Sequence, residues 1–239
     1  MSFQISLNSI FSEIHCQYHE GISLGNRQYE VGLKSFVTYN NIPNISEENN
    51  KLVFIEKINT INSAGTYEKQ HVLRIPKGTY EIQDLVILIE KAYPDSKTKI
   101  SLNKNILKME VYSEWIIDFS CANSIGTVLG FSNRRLPSDT LHYSDLPINI
   151  FPINTIRIRC NLINCNVQGS ERNDNTLYEF PLNTSLGERI IERPINISYY
   201  RVITETIHDL VLRICDQDGH LVDFRGEKIS ITLDFRAVK

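Results

Sequence analysis

Two histidines four residues apart, His15 and His19 in HCQYH, come nearest to a metal-ligand pattern in this chain. On a helix that spacing puts both imidazoles on one face, where they could bind zinc. The position that holds the acid–base glutamate in zinc proteases is Cys16 here, and no second ligand cluster follows at usable spacing. The sequence Asp216-Gln217-Asp218-Gly219 resembles the opening of a calcium loop, but an EF-hand needs glycine sixth, glutamate twelfth and a helix on each side. Its flanks alternate like strands, so a tight turn is the expectation. No G-x-S-x-G elbow is present, and the histidines at 15, 19, 71, 142, 208 and 220 lack the spacing of a cupin-like metal set. No catalytic residue, no metal and no cofactor is expected. Two charged groupings remain. Arg134-Arg135 follows the apolar turn Leu129-Gly130-Phe131, and Glu188, Arg189, Glu192 and Arg193 alternate in sign through GERIIERP. The basic pair could contact an acidic partner or a phosphate, though such a pair is more often a solvated loop. The alternating charges suit a packed inter-subunit edge as well as they suit plain solvent, and both groupings are candidate interface charges.

The elements that would position these groups are mostly strands. In ISITLDFR, Ile229, Ile231, Leu233 and Phe235 alternate with polar residues, which predicts a half-buried strand. Leu210, Leu212 and Ile214 mark a preceding strand, linked to it through the turn pairs Asp218-Gly219 and Arg225-Gly226. Ile156, Ile158, Cys160 and Leu162 share a face, and so, by the same count, do Tyr29, Val31, Leu33, Val37 and Tyr39. One segment departs from this rhythm: Ile82, Leu85, Val86, Leu88, Ile89 and Ala92 follow helical spacing, with Pro94 at the end. A hairpin is expected around Asn103-Lys104-Asn105 and a short helical turn before Gly130. Many short strands with one amphipathic helix predict a mainly β protein, an antiparallel sandwich or barrel. Residues 70–140 read as a small α+β insertion between 1–69 and 141–239; the alternative is two consecutive β-rich lobes, 1–145 and 146–239.

The bulk properties exclude more than they identify. A chain of 239 residues can build a self-sufficient core, and a formal net charge of −3 carries no basic excess of the kind that tracks phosphates. Nucleic-acid contact is not indicated. No apolar run approaches the length of a membrane helix, and the N-terminal stretch lacks a basic region followed by an apolar one, which predicts a soluble protein made inside the cell. Five scattered cysteines argue for reduced thiols rather than a disulfide framework.

The order of features is more specific than any one of them. FVTYNNIPNISEENNKL is followed by RIPKGTYEIQDL, NSIGTVLGF, INTIRIRCNLI, IIERPI and ICDQDGHLVDFRGEKISITLDF. That succession resembles, over nearly the whole chain, the minor capsid or penton proteins encoded by Polinton/Maverick elements and adintoviruses, relatives of virophage pentons. The resemblance implies a jelly-roll fold, a homopentamer at the fivefold vertices of an icosahedral capsid, contact with a double-jelly-roll major capsid protein, and location in the virion. It implies no catalysis. Under it, the loop of Tyr39, Asn40, Asn41, Pro43, Asn44, Asn49 and Asn50 is a candidate subunit contact, because proline ends strand pairing and asparagines accept turns while offering side-chain amides. An ordinary polar loop is the competing reading. A β-sandwich that binds a carbohydrate or receptor is the alternative function, with Trp115 or Tyr199-Tyr200 as stacking residues.

Overall fold

The computed structural model describes residues 2–59, 66–151, 153–164 and 175–238. In chain order its strands begin with β1 (Ser2–Ser9), β2 (Glu13–Ser23) and β3 (Tyr29–Tyr39). The middle of the chain forms β4 (Lys51–Asn59), β5 (Thr66–Arg74), helix α1 (Ile82–Ala92), β6 (Lys99–Asn103), β7 (Lys108–Tyr112), β8 (Ile116–Asp118), the single-turn helix α2 (Gly126–Leu129), β9 (Arg135–Leu136) and β10 (His142–Tyr143). The remainder forms β11 (Thr155–Cys160), β12 (Thr176–Pro181), β13 (Arg189–Glu192), β14 (Tyr200–Arg201), β15 (Thr206–Cys215) and β16 (Ile229–Ala237). Among the described residues no helix is long and apolar enough to cross a membrane.

Two compact units result, Met1–Ile42 with Ile153–Lys239, and Pro43–Pro152. The first is an antiparallel sandwich. One sheet runs β1-β16-β3-β13, with β14 also on β3, and the other runs β12-β11-β15-β2. With the two-residue β14 set aside, eight strands remain. The first, eighth, third and sixth form one sheet, and the second, seventh, fourth and fifth form the other. That is the order of a jelly roll. The second unit occupies the connection between its third and fourth strands.

Each jelly-roll strand owes its place to alternation. Ile229, Ile231, Leu233 and Phe235 of β16 are buried, as are Ile156, Ile158 and Cys160 of β11 and Leu210, Leu212 and Ile214 of β15. They meet in one core with Leu7, Ile14 and Phe36, where the Phe36 ring lies 5.5 Å from that of Phe180. Strands β15 and β16 do not form the hairpin that their turn residues suggest. The Asp218-Gly219 and Arg225-Gly226 turns are present, with Gly219, Arg225 and Gly226 all at positive φ, but the chain between them crosses from one sheet to the other.

The face assignment for β3 needs a correction. Tyr29, Val31 and Leu33 do point inward, but Lys34 is an extra residue in the pairing with β16: Leu233 faces Leu33 and Thr232 faces Ser35. This bulge reverses the alternation, so that Phe36 and Thr38 are buried while Val37 and Tyr39 turn to the outer face.

The second unit has its own core. Sheets β5-β4-β8-β9 and β10-β7-β6 pack with α1, whose Leu85 and Ile89 are buried. Helix α2 stops at Gly130, which has φ +80° and sits where an added Cβ would lie 2.2 Å from the Leu146 carbonyl oxygen. The boundaries differ from those at 70 and 140. Strand β4, which alternation alone assigns to the sandwich, pairs with β5 and β8 in the second unit, and residue 70 falls inside β5. Consecutive lobes meeting near 145 do not describe the pairing either, since β1–β3 pair with strands beyond residue 153.

Candidate functional site

Because of the bulge in β3, the sandwich has an edge with exposed apolar groups. Tyr39 pairs with Arg189 and Val37 with Ile191, so β13 and the end of β3 share an outward face. Along β13 the alternation buries Ile190 and exposes Arg189 and Ile191, and Arg193 follows on the same side. Ile191 is 53% exposed, Tyr39 45%, and Ile195 beyond them 98%. Glu192 points the other way and accepts a hydrogen bond from the Tyr178 hydroxyl at 2.9 Å. Burial, with the Glu192 carboxylate added to it, pushes that hydroxyl up to about 12. The pairing continues past the strand ends, where Asn40 N–H donates to the Glu188 carbonyl and Gly187 N–H to the Asn40 carbonyl, both at 2.8 Å. Two sequence-predicted groups, Tyr39-Asn40 and the 188–193 charges, are therefore neighbours.

The asparagines of this loop make hydrogen bonds within the chain. Asn40 is buried, and its amide donates to the Thr184 carbonyl at 2.7 Å. Asn44, also buried, donates to the Tyr80 and Ile150 carbonyls at 2.7 and 3.1 Å and accepts from Tyr80 N–H at 2.9 Å. Asn49 accepts from Ser46 N–H and donates to the Asn44 carbonyl, Asn41 donates to Glu227, and Asn50 receives Ile75 N–H on its carbonyl. Asn41, Asn49 and Asn50 stay half-exposed, while Asn40 and Asn44, 2% and 4% exposed, are internal staples. Pro43 is half-buried between them.

The basic pair is committed within the second unit. Arg135 Nε lies 2.9 Å from the buried Asp118, and Arg134 lies 3.0 Å from Asp145. Burial pushes the Asp118 carboxyl up, but hydrogen bonds from Ser120 and Arg135 outweigh it and hold the group below the usual carboxylate range. Asp145 is held low by the Ser132 N–H and hydroxyl, with Arg134 adding to them.

His15 and His19 lie on strand β2, not on a helix, so their Cα atoms are about 13 Å apart. His15 instead faces Asp209 at 3.4 Å. Asp216, Asp218 and His220 do converge, yet Asp216 Oδ1 already accepts the backbone N–H groups of Asp218 and His220 at 2.9 Å, which makes it a turn cap. The aromatic stacking candidates are engaged as well. Trp115 lies 4.5 Å from the stacked His71 ring, and Tyr199 is held under Arg236, with its hydroxyl 2.9 Å from Asp234.

A second apolar surface has no counterpart in the sequence reading. The turn between β1 and β2 exposes Ile10 and Phe11, the latter by 69%. With Glu13, Leu221, Asp223 and Phe224 they line an open groove of about 760 Å³.

No protein-family model matches the sequence, and no curated protein matches it. Among solved structures, the crystal structure of the selenomethionine-labelled mavirus penton protein is similar, at 12% identity and a TM-score of 0.50 over 99% of each chain. At that identity the likeness is one of fold, and it extends to both units.

Proposed function

We propose that this chain is a structural virion protein, a penton or minor capsid protein of the kind encoded by Polinton/Maverick elements and adintoviruses. In this reading it forms homopentamers at the fivefold vertices of an icosahedral capsid, touches a double-jelly-roll major capsid protein, and has no enzymatic activity. One observation carries the proposal. A jelly roll with a second unit between its third and fourth strands is similar to the mavirus penton protein across 99% of both chains.

The surfaces support it too. The groups that resemble metal ligands are engaged, Asp216 as a turn cap and His15 with Asp209, while the jelly roll exposes Ile191 and Ile195 beside β13 and Ile10 and Phe11 in the turn between β1 and β2. Exposed apolar patches rimmed by charge are what subunit contacts use. The test is the absolute mass of the purified chain over a range of concentrations, by light scattering after size exclusion. A mass near five times 27.6 kDa is expected. A strict monomer that also fails to bind the major capsid protein would remove the vertex assignment.

A further inference from the structure

A ring about a fivefold axis is a heterologous assembly, in which each subunit presents two different patches that fit each other. Two such patches lie on opposite sides of the jelly roll. Among the described residues, strands β1 and β2 are the edges of the two sheets on one side, joined by residues 10–12; β13 and β12 are the edges on the other. The β1/β2 side carries the groove with Phe11 and Leu221, rimmed by Glu13 and Asp223. The β13 side carries Ile191 and Ile195 between Arg189 and Arg193, neither of which has a carboxylate partner among the described residues. Glu13 lies 3.3 Å from Arg213, and both of those side chains remain half-exposed. Asp223 accepts the Arg225 N–H at 2.7 Å, and Glu188 is exposed next to Arg189. With Arg213 beside Glu13 and Glu188 beside Arg189, the groove carries two acids to one arginine and the β13 edge two arginines to one exposed acid.

We infer that the β13 edge of one copy of this chain seats against the Phe11 groove of the next, with Ile191 and Ile195 on the apolar floor and Arg189 and Arg193 toward Glu13 and Asp223. The occupant of each patch is a second copy. The excess of arginine on the edge and of acid at the groove sets the orientation of the contact. The inference rests on the ring proposed above, and it names the two faces that close it.

The experiment uses the full chain and two variants, Phe11→Asp and Ile191→Asp, each disabling one patch at an exposed position. Circular dichroism melts confirm that both variants fold. Light scattering is expected to give the wild-type ring, a monomer for each variant, and twice the chain mass for the equimolar mixture. The dimer follows because the intact groove of the Ile191→Asp chain accepts the intact edge of the Phe11→Asp chain, and neither can extend further. A face-to-face contact of identical patches gives a different result: one variant would self-associate and mixing would add nothing. Variants that keep the wild-type mass would overturn these faces and leave the ring standing. A wild-type chain that stays monomeric would overturn the ring and the interface together.

Discussion

Gly32 and Ile197 are closer than any side chain at position 32 would permit: a Cβ built on Gly32 falls 2.3 Å from Ile197 Cγ2 and 2.7 Å from the Ser198 carbonyl oxygen. The 197–199 segment thus lies directly on the outer face of β3, where Tyr199 is clamped by Asp234 and Arg236. This strap follows directly after Ile195 and leads the chain into β14.

Gly32→Ala should loosen that strap. Ile197 can rotate, but the Ser198 carbonyl is backbone and cannot yield without moving the segment. The expected cost is about 2 kcal/mol, as for other overpacked sites, read as a lower urea midpoint with unchanged slope. An unchanged midpoint would mean that the strap is not held in this close contact.

Asn44→Ala should cost more, about 3 kcal/mol, because Tyr80 N–H and the Tyr80 and Ile150 carbonyls lose a buried partner together. Asn44→Asp should not rescue it. A carboxylate can still accept from Tyr80 N–H, yet it sets negative charge against two carbonyl oxygens. Urea unfolding of the three proteins, followed at Trp115 in the same unit, checks the order wild type, then both variants well below it.

Two groups give the stability opposite pH limits. The folded-state value of Asp118 is depressed, so its contribution is present above the unfolded carboxylate value of about 4 and disappears as pH falls through the folded value. Tyr178 is raised to about 12, so its contribution is complete below the unfolded value of about 10 and is lost as pH rises toward 12. Asp118→Asn should flatten the acid limb of a melting-temperature profile, and Tyr178→Phe the alkaline limb. A limb unaltered by its variant would assign that slope to other groups.

Legibility in the sequence followed the length of unbroken alternation. Strands β11 and β16, and β15 from Asp209 onward, can be read face by face, because their period is unbroken there and each has one wet side; the irregularity of β15 lies ahead of that run, between Ile207 and Asp209. Strand β3 could not, since the bulge at Lys34 depends on pairing with β16, some 200 residues away in the chain. Strand β4 pairs with its chain neighbour β5 and with β8, and alternation alone does not say which unit the pair joins. Arg134, Arg135 and the asparagines were visible as polar groups, but their partners come from other elements, and a sequence window holds no sign that Asn44 meets Ile150. Ile10 and Phe11, a short apolar pair between serines, look like core until the turn between β1 and β2 is seen to turn them outward.

Thiol reactivity separates the core from the proposed subunit contact. Cys160 is fully buried and its thiol is pushed up to about 12 by that burial, while Cys215 is buried and also raised. Neither should be alkylated in the folded protein at neutral pH, because the thiolate is the reacting form and both are shielded. Cys16 and Cys121 are part-exposed and should label within minutes. Cys16 lies on the edge strand β2, packed against the core on the face opposite the groove residues Glu13 and His15, so its access to solvent runs along the strand edge that the proposed contact covers. In the assembled protein its labelling should slow several-fold relative to the Ile191→Asp monomer, while Cys121, in the other unit, sets the reference rate. Site-resolved mass spectrometry after pulsed alkylation reads both rates. Equal Cys16 rates in ring and monomer would mean that the β2 edge stays open to solvent and that the contact is confined to the groove end, around Phe11 and Leu221.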